Sequence, residues 1–179
     1  MPATLQHSTD AVPTTAMYFT ACMQRSLWHA ERLFADIPPE KFCFRQTPNL
    51  NHPAFIVGHL SLYPNRIFTL IGRKDLIVDM QPGWVELFQA GSVCVDDASR
   101  YPTKDALTKA FFEGYRKVAE VLPGVDDEVF LRDNPLEGRM REVFPKVGIA
   151  VNFLCNNHLS MHLGQISMWR RTIGLGPVM

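Results

Sequence analysis

The chain has no C-x-x-C pair, no cluster of lysines and arginines, and no apolar run of membrane-spanning length. Each absence removes a class of function. Cys22, Cys43, Cys94 and Cys155 are too scattered for a zinc ribbon or a disulfide framework, so reduced, mostly buried thiols are expected. With 18 basic residues against 18 acidic ones, no electrostatic footprint for nucleic acid is present. The longest apolar stretches, such as residues 54–60, fall far short of the roughly 20 residues that span a bilayer. Residues 1–13 lack a basic segment followed by an apolar one, so a cytoplasmic protein with no membrane partner is expected. No internal repeat or low-complexity tract is present.

What the chain does have is enough apolar residue, 46% of 179, to bury one sizeable core. A flexible tail over residues 1–12 and a single domain over 13–179 are expected. Four helical segments and no confident strands follow from periodicity. The first runs from Pro13 to about Asp36, with Ala16, Phe19, Met23, Leu27, Ala30 and Phe34 at helical spacing, and Pro38 and Pro39 stop it. The second begins near Asn51 with Pro53 in its first turn and carries Phe55, Ile56, His59, Leu60, Tyr63, Ile67 and Leu70 toward Gly72. Pro64 removes a backbone donor inside it and predicts a kink or break just after His59.

Residues 73–101 read as a long polar connection, a functional or crossover loop with room for a short helical turn. Thr103 is placed to cap a third helix that ends near Leu122, with Leu107, Phe111, Tyr115, Val118 and Leu122 on one stripe. Residues 126–142 are charged and mixed. The fourth helix starts near Pro145 and ends near Ile173, before Gly174. Val151, Cys155, His158, His162, Gln165 and Trp169 form one stripe of it, while Ile149, Phe153 and Leu163 lie off that stripe. This excess apolar surface suits a helix central to the molecule or one that also meets a second subunit, so a homodimer is expected. The fold class is all-α, an up-and-down four-helix bundle with a long connection between helices 2 and 3.

The fourth helix carries the chemistry. His158 and His162 are four residues apart, which stacks their imidazoles on one helical face about 6 Å apart along the axis. Burying two imidazoles without partners is costly, and a divalent ion satisfies both. His59, flanked by apolar residues and beside Gly58, is the third candidate. Three neutral nitrogen ligands leave coordination positions open, as a catalytic site requires. Zn, Ni, Fe, Co and Mn all suit such a set. His29 and His52 read as caps or satisfied histidines, and His7 belongs to the tail.

These residues also resemble a family. The stretch NHPAFIVGHL over residues 51–60, the pattern His158-x3-His162-x-Gly164-Gln165-Ile166 and the ending RRTIGLGP over residues 170–177 look like the DinB-like (YfiT-type) family. The pieces YPTKDAL from Tyr101 and LPGVDDEVF from Leu122 are similar too. The resemblance implies a four-helix bundle, often a homodimer, with one divalent ion on His59, His158 and His162. It further implies kinship with metal-dependent transferases that join a low-molecular-weight thiol to an electrophile. The family name refers to DNA-damage induction, a stress response, and carries no expectation of DNA binding here.

The absence of a carboxylate between the paired histidines bears on the reaction. Leu159 follows His158 where a His-Glu-x-x-His protease has its base, so metal-dependent hydrolysis is the weaker expectation. Activation of a small-molecule thiol by the ion needs no protein nucleophile and is favoured. The alternative is a non-catalytic metal- or small-molecule-binding stress protein. Cys155 is a candidate fourth ligand, though a small buried thiol is the plainer reading. Gln165 is placed to fix a histidine tautomer or to meet substrate. Tyr63 and Arg66, one and two turns past His59, are candidates to meet the carboxylates of a thiol substrate, with Pro64 obscuring their direction.

Overall fold

The computed structural model describes residues 14–178, and the expectations for the tail over 1–12, for His7 and for Pro13 fall outside them. Among the described residues the protein is all-helical, with an isolated antiparallel bridge at Asp133 and Lys146 and no strand. The main helices are α1 (Thr15–Ala35), α2 (Pro53–Ser61), α3 (Tyr63–Leu70), α4 (Trp84–Phe88) and α5 (Lys104–Val121). They are followed by the short α6 (Asp127–Leu131), α7 (Arg139–Val143) and α8 (Val147–Asn152), and by α9 (Leu159–Thr172). None is long and apolar enough to cross a membrane.

The start and stop chemistry is local. Thr14 caps α1 by accepting from the Met17 amide at 3.3 Å, and Thr103 caps α5 by accepting from Ala106 at 3.2 Å. The expected single second helix is two. The break falls at Leu62, three residues beyond His59, and Pro64 occupies the first turn of α3, where its missing donor is harmless.

Packing follows the stripes. In α5, Leu107, Phe111, Tyr115 and Val118 are all buried, at i, i+4, i+8 and i+11. In α2 all nine residues are buried, because α5, α9 and α4 each cover part of it. Helix α1 packs on α9 and α5, and α3 packs on α5 and α8. The end of α9 is tied back by Arg170, whose side chain is 1% exposed and donates to the Leu33 carbonyl at 2.8 Å and to both Asp36 carboxylate oxygens.

Two segments differ from the expectation. Residues 73–101 contain α4 and two 3-10 turns (Lys74–Leu76 and Ala98–Arg100), and Trp84 and Phe88 of α4 are core residues. The fourth helix is not uniform either. Between α8 and α9 the chain winds as a π-helix over Phe153–His158. The wider turn holds more residues than an α-turn, and it resets which side chains share a face C-terminal to it. Val151, Cys155, His158 and Trp169 are buried, whereas Gln165 and Ile149 are exposed.

Candidate metal centre

His59 enters the site from the last turn of α2, and His158 and His162 from the π-helix and the first turn of α9. His59 is 7% and His158 8% exposed, while His162 is half-buried. Their ring centroids lie 5.3 Å (59 and 158), 4.9 Å (59 and 162) and 4.6 Å (158 and 162) apart. One nitrogen from each falls within 4.8 Å of the others, so the three could hold a metal ion. Among the described residues no cysteine or carboxylate joins this cluster.

Hydrogen bonds fix two of the tautomers. The Phe88 carbonyl lies 2.7 Å from His59 Nδ1, and because a carbonyl only accepts, Nδ1 carries the proton and Nε2 presents its lone pair. Gln165 Oε1 lies 2.9 Å from His162 Nδ1 and acts in the same way. His158 has no such partner: its Nδ1 is buried and makes no hydrogen bond. Its Nε2 sits 3.3 Å from His59 Nε2. That separation suits two nitrogens on one tetrahedral ion, for which metal–nitrogen bonds near 2.05 Å give an edge of about 3.3 Å. A neutral His158 with its proton on Nδ1 turns two lone pairs toward each other, an arrangement that a cation relieves. The donor set therefore fits a divalent ion.

Burial keeps the ligands unprotonated. It is the main cause that pushes His158 down to about 3, with the charges of His162, His59 and Arg66 adding to it. Burial likewise holds His59 and His162 below the ordinary imidazole value, opposed by their hydrogen bonds to Phe88 and Gln165.

The remaining residues singled out in the sequence lie as follows. The Tyr63 hydroxyl is 3.2 Å from His59 Nε2, and its ring is 4.2 Å from that of His158. The exposed Arg66 guanidinium is 5.8 Å from the Tyr63 ring. Gln165 touches His162, as above. Cys155 is fully buried, burial pushes its thiol up to about 12, and it lies outside the ligand cluster. His52 caps α2, accepting from the Phe55 amide at 3.1 Å through Nδ1 while Nε2 donates to the Val95 carbonyl at 3.2 Å.

Phe88 was not found from sequence. Its contribution is a backbone carbonyl, invisible to residue type, and the one clue was the i, i+4 aromatic pair Trp84 and Phe88 inside an otherwise polar stretch. Gly58 completes the arrangement, since a Cβ there would lie 2.3 Å from the Phe88 ring. An open cavity of about 550 Å³ shares Tyr63 with the cluster's surroundings, and none of the three histidines is in its lining. No protein-family model matches the chain, and no curated protein matches it.

Proposed function

We propose that this protein holds one divalent ion (Zn, Ni, Fe, Co or Mn) on His59, His158 and His162 and is a DinB-like, metal-dependent S-transferase. In this reading α1, α2 with α3, α5, and α8 with α9 are the four columns of an up-and-down bundle that works in the cytoplasm as a homodimer. Its substrates are a low-molecular-weight thiol and a small electrophile. The observation that carries the proposal is the convergence of three neutral imidazoles, with no carboxylate among them, next to Tyr63 in the wall of an open cavity.

A divalent ion bound there lowers the pKa of a coordinating thiol and so supplies a nucleophile. The chain's own residues do the rest. Phe88 and Gln165 hold two imidazoles in the tautomer that turns Nε2 inward. Tyr63 stands at the edge of the cluster with a hydroxyl able to orient a substrate atom. The carbon–sulfur bond forms as the electrophile's leaving group departs, and the thiol proton passes to solvent. Hydrolysis is less well supported, because no carboxylate in the cluster serves as base. A non-catalytic binding role is less well supported too, because Cys155 does not close the coordination shell.

Elemental analysis of protein purified without an affinity tag tests the site. One equivalent of metal in the wild type and loss of it in His158→Ala are expected, and unchanged content in the variant overturns the ligand set. Turnover of metal-loaded protein with cellular thiols and a generic electrophile should exceed that of His59→Ala. Equal rates would sink the transferase reading.

A further inference from the structure

A second cavity, of about 510 Å³, lies between α3, α5 and the connection that leads into α4. None of the three histidines lines it. Its wall is aromatic and apolar. Phe68 and Trp84 are buried in it, at 2% and 4% exposure, with Pro64, Leu76 and Met80 beside them. From α5 come Ala106 and Ala110, whose small side chains leave the space open. At Gly114 α3 and α5 touch, since a Cβ there would lie 2.7 Å from the Pro64 ring.

The polar groups of this wall are spent or balanced. Trp84 Nε1 donates to Ser61 Oγ at 3.0 Å, and that hydroxyl donates in turn to the Gly58 carbonyl at 2.6 Å. Asn65 donates to the Val78 carbonyl at 2.7 Å and accepts from the Val78 amide at 3.1 Å. Lys109 and Lys117 are offset by Asp79 and Glu113, so the lining carries no net charge. Lys109 lies 3.9 Å from Glu113, and Lys117 lies 3.0 Å from Glu120.

We propose that this cavity is a binding site for an uncharged aromatic molecule of two or three rings. The inference stands apart from the metal-dependent reading, because no ligand of that centre takes part in it. Volume sets the size: about 510 Å³ is in the range of small-molecule sites. Charge sets the class. An ion entering a lining of zero net charge gives up hydration with nothing to replace it, whereas flat rings bury apolar surface against Phe68 and Trp84 in edge or offset contact. The exposed Gln81 side chain makes no hydrogen bond among the described residues, so its amide is free to meet one polar substituent.

Fluorescence titration of wild type, Ala106→Leu and Ala110→Leu is the test, with uncharged N-phenyl-1-naphthylamine and with its sulfonate, 1-anilinonaphthalene-8-sulfonate, as probes. Leucine suits a helix and grows into the cavity from the α5 wall. The wild type should bind the uncharged probe with a Kd of about 10 μM or below, about tenfold more tightly than the sulfonate, and either leucine should weaken that binding about tenfold. Unchanged affinity in both variants, or sulfonate binding as tight as that of the uncharged probe, overturns the assignment. Nitrogen-15 spectra of the wild type locate the probe without any variant. The Trp84 indole N–H signal should shift, while those of Trp28 and Trp169, which do not line the cavity, stay in place. A shift at Trp28 or Trp169 with none at Trp84 overturns the site as well.

Discussion

At the scale of single residues, the three ligands differ in how they are held, and this sets the pH behaviour of the site. Because burial lowers all three imidazoles from their ordinary value, they are mainly neutral at pH 7, and metal binding there displaces little proton from them. Calorimetry in two buffers of different ionisation enthalpy should give nearly the same binding enthalpy at pH 7. A difference proportional to the buffer enthalpy that grows as pH is lowered would show that a ligand is protonated in the free protein, because proton release from a metal-bound water grows in the opposite direction. Cys155 gives a second prediction. With its thiol pushed up to about 12 and outside the cluster, Cys155→Ala should leave metal content unchanged, while exposed Cys22 is alkylated first in the native protein. His59, His158 and His162 were legible because helical spacing and local apolarity are written in residue types. Tyr63 is a candidate from its place one turn past His59, but its direction is not legible, because Pro64 lies in the first turn of a new helix and the sequence does not give the angle between α2 and α3. Phe88 was hidden for a different reason: any residue offers the same carbonyl.

At the scale of elements, α4 is the support on which His59 rests. Its Trp84 indole donates to Ser61 of α2 at 3.0 Å, and its Phe88 ring fills the space left by Gly58. Gly58→Ala must push that ring away, and the His59 hydrogen bond with it. A stability loss of about 1–3 kcal/mol and about tenfold weaker metal binding are expected. Gly164→Ala is the control: it lies on α9 with nothing within 4 Å of its added methyl and should change neither. His52 couples the start of α2 to the same connection through Val95, and it does so as a neutral ring. Its folded-state value is lowered by burial, so below the ordinary value near 6.5 the unfolded chain binds more protons than the folded one. Stability should be full above that pH and fall as pH drops below it, and the fall should be shallower in His52→Asn if an amide can replace the cap. Urea midpoints from pH 7.5 to 5 check both the sign and the residue. The breaks at Pro38 and Pro64 and the caps at Thr14 and Thr103 obey short-range rules. The interior of residues 73–101 reads as a connection because five residues of helix are too few to show a period.

At the scale of the whole molecule, the site joins α2 to α9, two elements far apart in the chain, so metal binding acts on global stability. An ion at a hundred times its dissociation constant should add about 2.7 kcal/mol by mass action, seen as a rise in melting temperature that a chelator reverses. No rise with Zn, Ni, Fe, Co or Mn would remove the site. Helix content and the main packing stripes were readable across the chain, but the π-helix was not, since Phe153, Leu154, Cys155 and Asn156 carry no residue signature for it. That winding has a genetic meaning. A wide turn of this kind absorbs one extra residue, so removing one codon from it restores an ordinary helix with α8 and α9 keeping their faces, whereas removing one from an ordinary helix turns everything beyond it by about 100°. The chain can therefore change length by one residue ahead of His158 without disturbing the centre, but not between His158 and His162, where the spacing itself aligns the ligands.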